Sequence, residues 1–470
     1  MRPLPTFRRW LFPTVLKRLQ SGLTPIVALR GSRQVGKTTL QLQVIEHLLR
    51  VEGVDPRRIF RVQFDEVPSL KGFEQPVLTL CQWYQEAILR GSFNEWARRG
   101  ELVYIFLDEV QNLPDWVPQI KSLLDHHAVP VLLTGSSALR IEQGCDSLAG
   151  RISTLEMGTL HLREVCALRG WGELAPYWER NGTDQLAQKA FWSDLKAYGI
   201  LYAEQRKRAF ETFAERGGYP IAQARPEVEW HELADQLNEA IIRRVIRHDL
   251  RMGERGRKRD ESLLEELFRL CCRYAGQVPT LTLLVDELKQ TLQVNVGVQR
   301  VGSYLRILND TLLIRLINPL EIQLKRRKGA SKICLCDHSL RASWLQESVS
   351  LTPEGLQNLP DLASLAGHIV ESIVSFFLSG LPNLDVAWFP PREGEPEVEF
   401  VLTVGGYRIP IEVKFRQRID PFRGTEGLRA FIGEASRRAP FGLLVTLRDE
   451  AEIDDPRIVA IPLSSLLMLV

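Results

Sequence analysis

Pro25-Ile26-Val27-Ala28-Leu29-Arg30-Gly31-Ser32-Arg33-Gln34-Val35-Gly36-Lys37-Thr38-Thr39 is the stretch that decides the fold. Its first part is a short apolar strand running straight into glycine, and from Thr38 to Leu49 the apolar residues recur at helical spacing. The joint between them, Gly31 to Thr38, has the form Gly-x-x-x-x-Gly-Lys-Thr. Glycine lets backbone N–H groups turn inward onto phosphate oxygens, where a side chain would stand in the way. The loop also opens a helix, whose N-terminal dipole favours an anion. Gly31, Ser32, Arg33, Gln34, Val35, Gly36, Lys37, Thr38 and Thr39 are therefore the expected nucleotide-binding set. Lys37 is placed to reach the β- and γ-phosphates of ATP, and the Thr38 hydroxyl to hold Mg²⁺.

Working outward, Arg58 to Phe64, Glu101 to Leu107 and Val129 to Leu133 read as further apolar strands, and Ile152 to Leu155 as another strand-like run. Continuous apolar strands separated by helices predict an α/β fold with a largely parallel sheet. The strand ending at Leu107 delivers Asp108-Glu109 to the sheet edge where ligands of such folds bind. Asp108 is expected in the Mg²⁺ shell, and Glu109 as the group that orients and deprotonates the attacking water. The next strand ends in Thr134-Gly135-Ser136-Ser137, and Ser136 is the expected contact for the γ-phosphate or the water.

At 470 residues the chain is too long for one ordinary core, which predicts roughly two to four domains. A hydrophobic share of 44% and a charged share of 25% are those of a globular protein. With a net charge of only +2, any nucleic-acid surface must be a local patch. No apolar run looks long enough for a membrane span, and Arg2, Arg8, Arg9 and Lys17 interrupt the N-terminus, so neither a span nor a signal peptide is expected. The 7 cysteines are sparse and odd in number and lack zinc spacing, which points to reduced core thiols and a cytoplasmic protein.

From about Leu160 the pattern turns helical and more polar. Glu261 to Tyr274, Leu281 to Thr291 and Val298 to Asn309 read as three helices, followed by strands near Leu312 to Ile317 and Lys332 to Leu335. That order is a winged-helix arrangement. Positive charge gathers at Arg243, Arg244, Arg247 and Arg251 to Arg259. Lys325, Arg326, Arg327 and Lys328 fall at the tip of the expected hairpin, and Arg300 lies near the start of the third helix beside Asn295 and Gln299. These are positions for contact with DNA, although a charge run is also an ordinary solvated face.

Near the C-terminus, Glu397-Val398-Glu399-Phe400-Val401 is followed after a hairpin-length gap by Ile409-Pro410-Ile411-Glu412-Val413-Lys414. Glu412 and Lys414 share one strand face by the period of two. A strand pairing back would bring Glu399 alongside, and Glu371 comes from the preceding helix. Glu371, Glu399 and Glu412 are candidate ligands for one or two Mg²⁺ or Mn²⁺ ions, with Lys414 stabilising charge or activating water at a phosphodiester. The alternative is a fold that keeps these residues for structure or DNA grip without cleavage.

The constellation of Glu371, Glu399, Glu412 and Lys414 resembles the PD-(D/E)xK nuclease core. Taken with the loop, Leu107-Asp108-Glu109-Val110-Gln111, Gly150-Arg151, Gly217-Gly218-Tyr219-Pro220 and Arg247-His248-Asp249-Leu250, the whole chain resembles the bacterial and archaeal AAA-type (AAA+/ASCE P-loop) ATPases that carry a C-terminal domain of unknown function. The family usually shows aspartate where Glu399 stands. The resemblance implies an ATPase core over 1–160, a helical lid over 161–235, a winged-helix domain over 236–340 and a nuclease-like α/β domain over 341–470. It also implies a homo-oligomer, with a hexamer as one form. Arg151 then reads either as a finger reaching a neighbouring subunit's nucleotide or as a surface arginine in an intrachain salt bridge, with Arg140 a second candidate. The leading expectation is an ATP hydrolase acting on DNA, branched or junction forms included. A nucleotide-gated switch or transcription regulator, and an ATP-regulated nuclease, are the alternatives.

Overall fold

The computed structural model describes the chain apart from residues 1–3, 66–71, 114, 136–147, 149, 179–182, 250–258, 322–328, 382, 392–394 and 452 and the side chains at 248–249. Ser136, Arg140, Lys325, Arg326, Arg327 and Lys328 lie outside the described residues. The chain divides into two compact units, Met1–Gly158 and Thr159–Val470.

The first unit is built on five strands, β1 (Ile26–Arg30), β2 (Ile59–Gln63), β3 (Tyr104–Asp108), β4 (Val131–Gly135) and β5 (Ile152–Glu156). They lie in the order β2-β3-β4-β1-β5, and every neighbouring pair is parallel. All five residues of β3 and of β4 are buried, as expected of central strands covered on both faces. Phe60, Phe64, Tyr84, Phe93, Trp116 and Ile120 pack with these strands into one apolar cluster. Since β4 lies between β1 and β3, the loop after β1 and the acidic pair after β3 open at the same sheet edge, flanking the end of β4.

The second unit begins with helices, among them Leu162–Leu168, Lys189–Leu201 and Ala203–Arg216. These belong with the C-terminal part of the chain. Arg206 is buried and grips Asp449 through both terminal nitrogens, at 2.7 and 2.6 Å. Three amphipathic helices follow, Glu261–Arg273, Leu281–Leu292 and Val298–Asp310, with Asp260 and Thr280 as side-chain caps on the first two. An antiparallel pair, β6 (Ile314–Ile317) and β7 (Lys332–Leu335), comes next. The hairpin is not a free wing at its base. Leu320 N donates to Trp388 O at 2.7 Å, Trp388 N donates to Asn318 O at 3.0 Å, and Leu335 N donates to Ser372 Oγ at 2.6 Å.

The C-terminal sheet holds β8 (Asp385–Phe389), β9 (Val398–Val404), β10 (Tyr407–Lys414), β11 (Gly442–Thr446) and β12 (Ile458–Pro462), in the order β12-β11-β10-β9-β8. The β8-β9-β10 side is antiparallel and the β10-β11-β12 side parallel. Helix Ala363–Ser379 lies against this sheet and is mostly apolar and buried from Ile369 to Leu378. The expectation that no run reaches membrane-span length is corrected here: Pro360–Ser379 passes by length and apolarity, with 61% of its most apolar window buried inside the fold. Burial in a core demands the same composition as burial in lipid, so composition alone does not separate the two.

Six described cysteines are buried and unbridged. Gly217 and Gly218 show why small residues stand at the end of helix Ala203–Arg216. Gly217 has φ +74°, and a Cβ there would lie 2.1 Å from Asp337 Oδ1. Gly218 N donates to Asp337 Oδ2 at 2.7 Å. Gly217→Ala should therefore destabilise the chain by about 2–4 kcal/mol. Gly170→Ala, with a similar φ of +71° and open space around it, should cost only about 1 kcal/mol. Equal shifts of the denaturant midpoint for the two variants would contradict this account.

Candidate functional site

At the end of β1 the chain enters the loop through Gly31, where a Cβ would sit 2.4 Å from Met157 O, so the close approach of the chain after β5 demands glycine. Gly36 takes φ +97° and caps helix Lys37–Arg50. Lys37 is buried, and its Nζ donates to Gly31 O and Ser32 O at 2.8 Å each. Its ammonium thus lies inside the ring of loop residues nominated from the sequence. Arg9, which sequence reasoning missed, is also buried here and donates to Val35 O and Gly158 O.

Asp108 is the hub of the facing side and is fully buried. Thr38 Oγ1 donates to its Oδ2 at 2.9 Å, Arg61 Nη2 donates to the same oxygen at 3.1 Å, and Thr134 Oγ1 donates to Oδ1. A buried carboxylate needs such donors to offset its desolvation. Arg61 and Thr134 were not nominated from the sequence. The signal for Arg61 was faint: a cation on β2, two residues before Gln63, which pairs with Asp108 in the sheet. Glu109 sits just beyond, in the left-handed region at φ +53°, and accepts from Gln111 Nε2.

The oxygen donors Thr38 Oγ1 and Asp108 Oδ2 face each other, which is the hard-donor chemistry that suits Mg²⁺. The ion, when bound with ATP, supplies neutralisation of charge on the β- and γ-phosphates. Lys37 and the loop N–H groups would bind and orient the same phosphates, and Glu109 would be left to orient the water. Arg151 Nη1 pairs with Asp125 within the first unit, on a partly exposed surface.

The second nominated site comes together around a residue that was not nominated as part of it. Ile411 pairs with Phe400 across β10 and β9, so one further step of that register sets Glu412 opposite Glu399. Lys332, from β7, enters between Glu371 and Glu399 with its side chain only 2% exposed. Its Nζ donates to Glu371 Oε2 at 2.8 Å and Glu399 Oε2 at 2.6 Å, and lies 3.6 Å from Glu397 Oε1. The ring of Phe400 closes the pocket 5.0 Å from the ammonium. Lys414 Nζ donates to Glu412 Oε2 at 2.7 Å.

Burial opposes ionisation of Glu371, yet the Lys332 charge and hydrogen bonds from His368 and Glu399 hold its carboxyl down at about 2. Burial, then the Glu371 charge, pushes Glu399 up to about 8. Burial likewise raises Glu412 against the pull of Lys414. Burial pulls both lysines down, yet their carboxylate partners outweigh it and hold both above the usual range, Lys332 far above. Among the described residues, no group of three or more His, Cys, Asp or Glu side chains is arranged to hold a metal ion.

On the basic middle of the chain, Arg247 Nη2 pairs with Glu265 at 3.1 Å and Arg243 pairs with Glu239, so part of that charge is spent within the fold. Arg300 stays partly exposed, 3.4 Å from Asp260 and over the ring of Tyr304.

Comparison with known proteins agrees with the first unit. Residues 23–166 match the AAA domain family model, and residues 207–350 match a domain of unknown function, DUF8612. An uncharacterized protein of Methanocaldococcus jannaschii, MJ1637, is 25% identical over 231 residues, covering 49% of this chain and 46% of that protein. Another, Rv2008c of Mycobacterium tuberculosis, is 26% identical over 282 residues, covering 53% and 58%. The matched part of this chain thus spans about half the length of these curated relatives. Among solved structures, the Walker-type ATPase of Pyrococcus abyssi, PABY2304, covers 73% of this chain and 99% of its own, at 14% identity and a TM-score of 0.43.

Gly31→Ala should weaken ATP binding about tenfold or more, because its Cβ must displace the chain at Met157 or distort the loop. Titration with a fluorescent ATP analogue checks this, and wild-type affinity in the variant would remove the loop from the site. Over residues 23–166 the chain is thus similar to the AAA domain family, and the parallel sheet and the loop of the first unit agree with that match.

Proposed function

We propose that the chain is a Mg²⁺-dependent ATP hydrolase that works on DNA, with turnover in the first unit driving rearrangement of the second. The observation that carries the hydrolase reading is the hydrogen bond from Thr38 Oγ1 to Asp108 Oδ2 at 2.9 Å, which joins the residue after Lys37 to the residue before Glu109. Four groups that phosphoryl transfer requires converge at one sheet edge: a phosphate cation, two metal-binding oxygens and a carboxylate for the water.

DNA as the partner is supported by the three helices followed by β6 and β7, a winged-helix order. Asn295, Gln299 and Arg300 are all exposed around the start of the third helix, where a recognition helix meets base edges and phosphates. The nuclease-like reading of the C-terminal sheet is supported by Glu371, Glu399, Glu412 and Lys414 converging there. In a homo-oligomer, Arg151 would exchange Asp125 for a neighbouring subunit's nucleotide. A nucleotide-gated switch is the second reading, favoured because the carboxylates of the C-terminal cluster are already matched by lysines.

Glu109→Gln should retain ATP binding while lowering turnover about 100-fold or more, since it removes the base and keeps the shape. Unchanged turnover would remove Glu109 from the reaction. For the wild type, turnover should rise with single-stranded, duplex or branched DNA, and the rise should fade steeply with added salt. Turnover indifferent to all three DNAs would transfer the reading to the switch.

A further inference from the structure

A nuclease-like sheet with Glu371, Glu399 and Glu412 on one face implies a divalent metal, and the residues around those carboxylates do not fit one. We propose that the ammonium of Lys332 is the resident cation of this cluster, standing where the metal would bind, so that the C-terminal sheet carries no divalent ion and cuts no phosphodiester. The proposal rests on the nuclease-like reading of that sheet and on nothing in the ATP site.

Three observations carry it. The first is geometric. Lys332 Nζ takes one oxygen of Glu371 and one of Glu399 at hydrogen-bond distance, with Glu397 next to them. Hard metals bind such oxygens at roughly 2.0–2.6 Å. An ion sharing these oxygens would therefore press against the ammonium with like charge and no water between.

The second is that Lys332 has nowhere else to go. Its backbone is held in β7, where Lys332 pairs with Ile317. The next residue, Ile333, exchanges hydrogen bonds with Gly276 and Gln277. A Cβ on Gly276 would come within 2.1 Å of His368 O, so this segment is clamped on the helix that carries Glu371. A metal would have to eject a buried lysine whose strand is fixed on both sides.

The third is the fate of the remaining groups. Lys414, the residue a cleaving site would turn toward water or phosphate, donates to Glu412 instead. Gly427 brings helix Glu426–Gly433 so close that a Cβ would meet Glu412 Oε1 at 2.5 Å and Glu397 O at 2.6 Å. That helix therefore closes over Glu412. Glutamate at 399 also fits the proposal, because its longer arm reaches the ammonium at 2.6 Å.

The test uses the full chain without nucleotide, in a Thr38→Ala background that removes the expected metal-binding hydroxyl of the ATP site. Bound Mn²⁺ is counted by electron paramagnetic resonance. The parent should bind no Mn²⁺ that Glu412→Gln removes. Lys332→Met should gain about one bound Mn²⁺ per chain, lost again when Glu412→Gln is added. Mn²⁺ held by the parent and released by Glu412→Gln overturns the proposal, and so does a folded Lys332→Met that gains none. Should Lys332→Met fail to fold, the parent and Glu412→Gln alone decide. Mn²⁺-dependent nicking of DNA by a chain with Thr38 intact, abolished by Lys414→Ala, would also overturn it. ATP turnover and its response to DNA, measured on that same Thr38-intact chain, report separately on the proposed function.

Discussion

A lysine cannot leave water as an ammonium unless acidic partners travel with it. Lys332 is almost wholly buried, and that single constraint organises much of the second unit. Its partners come from helix Ala363–Ser379 and strand β9, while the lysine itself comes from the hairpin of the three-helix region. Removing one side of a buried pair of this kind typically costs about 3–5 kcal/mol, because the other charge is stranded. The hairpin and the C-terminal sheet are thus held together by a penalty for separation as well as by apolar packing. The backbone bonds at Leu320, Trp388 and Leu335 run along the same seam.

The first unit obeys the same rule with opposite charge. Asp108 is fully buried and survives as an acceptor because Thr38, Thr134 and Arg61 each donate to it. The comparison between the two carboxylate sites separates them chemically. Around Asp108 two of the donors are hydroxyls, which can turn their lone pairs to a metal. The donor that Glu371 and Glu399 share is a fixed ammonium, which has no lone pair to offer. One arrangement can admit a divalent ion and the other resists it, although both began as acidic residues on strands and helices of an α/β fold.

Much of this was legible from residues near one another in sequence. The strand before Gly31, the helix after Lys37 and the buried run of Tyr104–Asp108 follow from local apolar patterning, and the five parallel strands bear that out. The pairing of Glu399 with Glu412 follows from a hairpin-length gap and a period of two, and the β9-β10 register places them opposite. What local pattern does not carry is the identity of a partner far along the chain. Arg9 on Val35, Arg61 on Asp108 and Lys332 on Glu399 are single side chains with no periodicity of their own. Lys332 was visible only as the first residue of the strand Lys332 to Leu335, where a solvated role is the natural expectation for a lysine. Its alternation with Cys334 on a buried strand was the available clue, since a strand in that position has no solvent face for a charge.

The stretch Gly217-Gly218-Tyr219-Pro220 shows how a motif can be specific without being chemical. Gly217 lets Asp337 approach, Gly218 N donates to it, Asp337 also caps helix His338–Leu345 through Ser339 N, and Tyr219 Oη meets Cys336 Sγ at 3.4 Å. The contacts of Gly217, Gly218 and Tyr219 join the end of helix Ala203–Arg216 to the segment directly after β7. The motif therefore fixes the strand that carries Lys332 from its other end. Close approach of the chain after β5 explains why glycine stands at Gly31, and a left-handed backbone explains it at Gly36. Close approach to a buried carboxylate explains it at Gly217 and Gly427, and in the second unit that carboxylate serves architecture before it serves any reaction.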